Sequence, residues 1–554
     1  MLTRLDKIPF ERRYAELPDI LYSEVEPTPV ADPELFWLNR PLARELGLDP
    51  EALASPEGTA LLAGNLVPKS VRPLAMGYAG HQFGGWVPQL GDGRALLLGE
   101  LVDARGVRRD VQLKGSGRTP YSRRGDGRSS IGPVVREVLG SEAMAALGIP
   151  TTRALAAVAT GERVFRERPE PGGVMTRVAE SHIRVGTFEF ALRRGGTEAV
   201  RALLEHVIAR HYPELAEGGQ AAGEGSEGRA DPAGRADSGG MAEPGGTADF
   251  ERTGALLEAV TRRTAELVAQ WLLVGFIHGV MNTDNTSVAG LTIDYGPFGF
   301  LDPYRPSEVY SSIDVHGRYA YNRQPGIALW NLARFAETLL PFLGATQDEG
   351  VERAQAVLGG FVPHFEGVYH RGLARKLGFA EEREGDRELA IEFLDRMERD
   401  GADYTNTFRA LCHVGGTDAG ESGADPGAAS GGASARASGE AGGSGTVSDE
   451  DMEAHFGTPG AFAEWAPRWR ARLAAEGRAE ADRRRAMRAV NPAYILRNHL
   501  AQAAVDAAIE RLDFEPMKRL LGVLARPFEE QPGAEDLARA PEPEERVTRT
   551  FCGT

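Results

Sequence analysis

Two segments carry side chains suited to moving a proton beside a bound cation. The first is His278-Gly279-Val280-Met281-Asn282-Thr283-Asp284-Asn285; the second, a short way on, is Leu291-Thr292-Ile293-Asp294-Tyr295-Gly296. Asp284 can take a proton from a hydroxyl group, while Asn285 and Asp294 offer the hard oxygen donors that Mg2+ prefers. A turn capped by Asp284-Asn285 and a strand ended by Asp294 are the structural alternatives. Candidates for holding phosphate lie earlier. Leu90-Gly91-Asp92-Gly93-Arg94 and Gly125-Asp126-Gly127-Arg128 repeat one Gly-Asp-Gly-Arg turn. Glycines there let backbone N–H groups come close to phosphate, and Arg94 adds charge; a plain Asp-Gly turn is the alternative. From Arg105 to Arg128, eight basic residues (Arg105, Arg108, Arg109, Lys114, Arg118, Arg123, Arg124, Arg128) accompany only two acids, Asp110 and Asp126. A local +6 on a chain of net charge −17 fits an anionic ligand such as a polyphosphate, or a solvated basic face.

Lys114 ends a strand-like run and Glu137 falls in a helical pattern. A strand lysine held by a helix glutamate is how kinase folds position the phosphates of ATP, although either residue alone is ordinarily a surface charge. In kinase-like enzymes that act on small molecules, a His-Gly-Asp motif sets the catalytic Asp five residues before an Asn. That place is Val280 here, which accepts no proton, so Asp284 is a displaced carboxylate able to replace it. Arg177 and Arg184 fit either surplus phosphate-binding arginines in a cleft or structural salt bridges.

The elements that must position these residues follow from their patterns. Ala95 to Val102 and Val107 to Lys114 read as strands joined by a turn at Asp103-Ala104-Arg105-Gly106. Val134, Val135, Val138, Leu139 and Met144 mark a helix that stops near Gly148-Ile149-Pro150. Arg153 to Ala159 and Gly173 to Val178 supply further strands, and Val200 to Ile208 an amphipathic helix. Later residues are mostly helical, at Leu256 to Phe276, Ile327 to Leu340, Glu388 to Met397 and Tyr494 to Leu512, with a strand-and-loop passage from His278 to Asp302. The expectation is an α+β, two-lobed fold with a β-rich N-terminal lobe, a mostly helical C-terminal lobe and a cleft between them. Residues 216–249 and 414–449, rich in Gly, Ala, Ser and charge, have too few large apolar side chains to offset chain entropy and read as disordered insertions. They separate ordered blocks at 1–215, 250–413 and 450–554.

Composition narrows the function classes. Over 554 residues, 63 basic against 80 acidic side chains argue against general binding to nucleic acid or to an anionic membrane. The N-terminus lacks the apolar stretch of a signal peptide, and Trp271 to Met281 is too short to span a bilayer, so a soluble cytoplasmic protein is expected. Two cysteines, Cys412 and Cys552, exclude a disulfide framework; Cys552, third from the end, suits redox modification. The histidines are scattered without ligand spacing, and no Gly-x-Ser-x-Gly elbow is present.

Taken together, these motifs resemble the selenoprotein O family of protein adenylyltransferases, often called pseudokinases. Beyond the segments above, the resemblance rests on Tyr78-Ala79-Gly80-His81-Gln82-Phe83-Gly84, Gln112-Leu113-Lys114-Gly115-Ser116-Gly117, Gly317-Arg318-Tyr319-Ala320-Tyr321, and Asn491-Pro492 with Leu496-Arg497-Asn498-His499. It implies a protein-kinase-like fold that binds ATP flipped, presents the α-phosphate, and passes AMP to a Ser, Thr or Tyr hydroxyl of a protein with release of pyrophosphate. Gly91, Gly93, Arg94, Lys114, Asp126, Gly127, Arg177 and Arg184 are then expected at the nucleotide, Glu137 at Lys114, Asp284 as general base, and Asn285 and Asp294 on Mg2+ or Mn2+. The chain departs from the family at its end, Cys552-Gly553-Thr554, and at Tyr310-Ser311-Ser312, where some bacterial members carry a cysteine. UMP transfer from UTP, γ-phosphoryl transfer and a non-catalytic nucleotide-binding regulator are the competing functions. Val280 argues against the second, and the retained Lys114, Asp284, Asn285 and Asp294 argue against the third.

Overall fold

A computed structural model describes residues 5–216, 246–415 and 447–550. Most of the two expected insertions and Cys552 lie outside the described residues. The site begins with a hairpin. Ala95–Val102 and Arg108–Lys114 pair antiparallel, with Ala95 opposite Lys114, and the Asp103 carboxylate closes the turn by accepting the N–H groups of Arg105 and Val107, each at 2.9 Å. The hairpin lies within a sheet whose order is Tyr22–Glu24, Leu74–Met76, Ala95–Val102, Arg108–Lys114, Pro169–Ala179, Arg153–Phe165, Glu34–Leu38. Ser129–Ser130 adds a short pairing to Pro169–Ala179. Alternation along Arg108–Lys114 sorts its side chains between the two faces. Val111 and Leu113 enter an apolar layer with Leu42, Leu61, Val158 and Val174, and Gln112 and Lys114 point to the other face.

That other face receives the helix Ile131–Ala146, whose Val134, Val135, Val138 and Leu139 are buried. The helix is also packed from behind by Asn498–Arg511 and Glu515–Leu524, and Phe36 stacks on Phe514 with ring centroids 3.9 Å apart. Gly132 is needed for this approach, since a Cβ there would sit 2.8 Å from Ile509 Cδ1. The C-terminal part is helical: Thr247–Leu273, Gln324–Leu339, Gln347–Gly359, Phe361–Lys376, Asp386–Asp400 and Ala461–Ala474 are its principal helices. The fold is thus α+β, β-rich first and mostly helical after.

Several bounds differ from expectation for physical reasons. Arg153–Phe165 and Pro169–Ala179 run longer because they pair with each other past the apolar stretches. The helix marked by Val200 to Ile208 is Val185–His211, interrupted at Gly196 (φ 64°, ψ −157°). Thr247–Leu273 starts at its polar end and stops before Gly275, whose φ of 75° turns the chain. Residues before Asn498 do not join the last expected helix, which spans Asn498–Arg511. Among the described residues no helix is long and apolar enough to cross a membrane.

Candidate active site

Lys114 gives its ammonium to Glu137 Oε2, and Glu137 Oε1 accepts from Arg177 Nη1 at 3.2 Å. Arg177 comes from the neighbouring strand, where register sets it opposite Gln112; Nε donates to Gln112 Oε1 at 3.1 Å. Its Nη1 also reaches Asp294 Oδ1 at 2.5 Å. Arg184 stands at the N-terminus of the helix Val185–His211 and donates to Asp294 Oδ2 and, at 2.7 Å, to the Asp284 carbonyl. Its guanidinium lies over the Tyr78 ring, 4.4 Å from the centroid. Lys114 Nζ is 3.7 Å from Asp294 Oδ1, so three cations surround one carboxylate. Burial alone would push Asp294 up, but Arg184, Arg177 and Lys114 outweigh it and hold the group well below the usual carboxylate range. Asp294 also adopts φ 61°, a left-handed conformation rare for a residue with a side chain.

Asp284 is the opposite case. It is 6% exposed, Gln82 Nε2 donates to Oδ2 at 3.2 Å, and buried Oδ1 has no hydrogen-bond partner. Burial raises its pKa to about 6, a value Gln82 and Arg184 only moderate. Two glycines permit this packing. A Cβ on Gly80 would lie 2.3 Å from Asp284 Oδ1, and one on Gly186 would lie 2.2 Å from the Ala79 carbonyl and 3.2 Å from Asp284 Cα. Asn285 Nδ2 donates to the Val280 carbonyl at 3.0 Å, which folds the loop back on itself. His278, buried and kept neutral by that burial, donates from Nε2 to the Ile293 carbonyl at 2.9 Å and accepts the Val280 N–H at Nδ1. One imidazole thereby joins the Asp284 segment to the Asp294 segment.

Further braces come from residues to which the sequence reading gave no role. Thr283 Oγ1 donates to Glu189 Oε2 at 2.6 Å and accepts the His81 N–H at 2.7 Å, while His81 Nδ1 meets Glu189 Oε1 at 2.6 Å. Asn282 Oδ1 accepts from Phe83 N at 3.1 Å and Tyr319 Oη at 2.5 Å, and Asn331 Nδ2 donates to the Met281 carbonyl at 2.9 Å. Asp92, buried, accepts from Met76 N and Gln112 Nε2 and lies 4.0 Å from Arg184. Gln112 shares Lys114's side of its strand, so its place was open to the same alternation argument. Glu189 left no such signal.

The two Gly-Asp-Gly-Arg copies have different surroundings. At Gly91 (φ 83°) a Cβ would meet the Tyr121 ring at 2.4 Å, and at Gly93 one would meet the Tyr121 carbonyl at 2.8 Å. These glycines let the loop at Thr119–Ser122 close over the turn, where Thr119 Oγ1 donates to the Asp92 carbonyl at 2.7 Å. Arg94, partly exposed, begins the strand edge, and its carbonyl accepts the Gly115 N–H at 2.6 Å. In the second copy Gly127 crosses Gly117, whose N–H donates to the Gly127 carbonyl at 3.0 Å. Asp126 is paired with Arg166 at 2.9 Å and is not joined to the Lys114–Asp294 network. Arg128 holds the Thr28 and Pro29 carbonyls. Of the eight basic residues, Arg105, Arg108, Arg109, Lys114 and Arg128 have carboxylate partners; Arg118, Arg123 and Arg124 are exposed, with no ion pair among the described residues. The remaining cysteine, Cys412, is buried and free.

A β-rich part whose strand lysine pairs with a helix glutamate, joined to a helical part whose loops present Asp284-Asn285 and Asp294, is a kinase-like protein. The family described as protein adenylyltransferase SelO matches residues 4–525. The chain is similar to the protein nucleotidyltransferase YdiU of Alkalilimnicola ehrlichii, 54% identical over 546 residues and 99% of each chain. It is similar likewise to those of Rhodopseudomonas palustris, at 53%, and Bradyrhizobium diazoefficiens, at 52%, with the same coverage. The chain belongs to the SelO family.

Proposed function

We propose that this protein transfers AMP from ATP to Ser, Thr or Tyr hydroxyls of proteins and releases pyrophosphate. The observation that carries the reading is Asp284: a buried carboxylate with a bare oxygen and a pKa raised to about 6, beside a cationic cluster, in a loop whose usual base position is Val280. A carboxylate so placed takes a proton from an attacking hydroxyl near neutral pH. Lys114, Arg177 and Arg184 hold polyphosphate oxygens in exchange for contacts they now make with Asp294 and Glu137. Glu137 keeps Lys114 extended into the site, and Gly91, Gly93, Arg94, Asp126 and Gly127 line the nucleotide's approach.

The donor set fits a divalent cation. Asn285 and Asp294 offer hard oxygens, and Asp294 remains 21% exposed at its side chain. Among the described residues no cluster of three His, Cys, Asp or Glu forms a closed metal cage. Two protein oxygens with the rest from phosphate and water is the usual arrangement for Mg2+ at a nucleotide. Bound Mg2+ or Mn2+ supplies charge neutralisation at the phosphates.

The test is transfer from ATP labelled at the α- or the γ-phosphate, with α-labelled UTP alongside and Asp294→Ala as blank. Protein labelled only from α-ATP is expected. Label only from γ-ATP would make the protein an ordinary kinase, and equal labelling from UTP would make it a less selective nucleotidyltransferase.

A further inference from the structure

Next to Asp284 the surface carries a groove that the nucleotide chemistry does not use. It holds about 400 Å3 and is lined by Phe83, Ile313, Val315, Arg318, Arg323 and Ile327. Ile313 is 64% exposed and Val315 72%, a large exposure for aliphatic side chains two residues apart. The groove's charge is one-sided. Its single acid, Asp314, is buried and spends both oxygens on the N–H groups of Arg318 and Tyr319, each at 2.8 Å. Arg318 lies over the Trp330 ring at 4.9 Å, and Arg323 donates to the His316 and Gly317 carbonyls at 3.2 and 3.1 Å. Neither guanidinium has an ion pair among the described residues, on a chain of net charge −17.

The groove wall is bonded to the Asp284 loop. Gln82, which donates to Asp284, is followed directly by Phe83 in the groove wall, and Asn282 of the Asp284 loop accepts from both Phe83 and Tyr319. Phe83 holds φ 51° at this junction, and its ring packs edge-on against Tyr319 with centroids 5.0 Å apart. An extended chain advances about 3.3 Å per residue, so a segment with its hydroxyl at Asp284 enters the groove within a few residues.

We infer that this groove selects the protein acceptor. It takes an extended segment that carries a large aliphatic or aromatic side chain and an adjacent Asp or Glu a few residues from the modified hydroxyl. Ile313, Val315 and Phe83 cover the apolar side chain, and Arg318 and Arg323 meet the acid. This rests on the transfer reading above, because it names the acceptor of that reaction.

The probe is a positional-scanning library of synthetic peptides with a fixed Ser, Thr or Tyr, assayed with α-labelled ATP. Wild type is expected to favour the apolar-acidic combination over alanine by at least about tenfold in kcat/KM. Ile313→Ser with Val315→Ser should lose the apolar preference, and Arg318→Ala with Arg323→Ala the acidic one. Both should act through peptide KM and leave KM for ATP unchanged. The first pair is solvent-exposed and its replacement keeps the fold. Indifference of wild type to flanking residues, or selection retained in both variants, overturns the inference. So does labelling of folded proteins without labelling of any peptide. The chain continues from Thr550, which pairs with Ser311 beside the groove, to Phe551 and the terminus. If a chain ending at Thr550 loses the selection, the terminus reads the acceptor and the groove does not. Absence of α-label on peptides and proteins alike would instead remove the transfer reading itself.

Discussion

Asp284 and Asp294, bridged by Arg184, are carboxylates that burial and charge drive in opposite directions. Asp294 is held ionised by three cations, and Asp284 is pushed toward neutrality by burial, which Gln82 and Arg184 only moderate. A neutral isostere at Asp284 removes the proton acceptor and relieves a buried charge. Asp284→Asn is therefore expected to lower transfer by about 10²–10⁴-fold with no fall in Tm, read by initial rates beside thermal melting. A large fall in Tm with transfer retained would remove Asp284 from the chemistry. Lys114 and Arg177 separate differently. When Lys114→Met removes one cation, Glu137 keeps Arg177, so transfer should be lost while the fold survives. Arg177 is 1% exposed and serves Glu137, Asp294 and Gln112 together. Arg177→Met takes one cation from Glu137 and Asp294, which keep Lys114 and Arg184, and leaves buried Gln112 Oε1 without its donor, so it should cost about 1–3 kcal/mol, measured by urea denaturation.

Elements decide whether those residues meet. The glutamate helix Ile131–Ala146 is clamped between the sheet and the helices Asn498–Arg511 and Glu515–Leu524, which fixes Glu137 under Lys114. The turn Gly91–Arg94 is fixed in turn by the loop that carries Tyr121. Gly91→Ala would press a Cβ into the Tyr121 ring at a φ of 83°, so a loss of about 1–3 kcal/mol is expected, with weakened nucleotide binding as the loop shifts. Denaturant midpoints and nucleotide titration of the variant check both. Much of this was legible in the chain. Alternation in VRRDVQLK placed Lys114 across from its apolar neighbours, and the strand Ala95–Val102 was read to the residue. Glu189 and His81 were silent because their role is tertiary: they meet Thr283 from far along the chain, and no local period records that. The extra length of Arg153–Phe165 was hidden for the same reason, since its polar end is extended by pairing rather than by its own side chains. The basic run from Arg105 to Arg128 overstated the free charge, because its partners Glu45, Glu11, Glu180 and Glu162 are distant in sequence.

Across the whole molecule, the sheet and the helix Val185–His211 are joined away from the candidate site by a second buried charge cluster. Glu100, fully buried on Ala95–Val102, accepts the Tyr14 N–H at 2.9 Å and lies 3.2 Å from Arg210, which also pairs with Asp110 at 2.5 Å. Burial, and then the charge of Asp110, push Glu100 up to about 7, while Arg210 and His182 overcome burial at Asp110 and hold it well below its ordinary value. The signs give two slopes. Because Glu100 binds its proton more tightly folded than unfolded, its contribution is present below the unfolded carboxylate range and is lost as pH rises through about 7. Asp110, depressed when folded, contributes above the unfolded range, and that contribution is lost as pH falls toward its folded value. Stability from this cluster is therefore greatest in mildly acid solution and declines through neutrality. Glu100→Gln is expected to abolish the neutral-side decline, read as Tm between about pH 5 and pH 8, since an amide has no proton to lose. An unchanged decline in that variant would place the titrating group elsewhere.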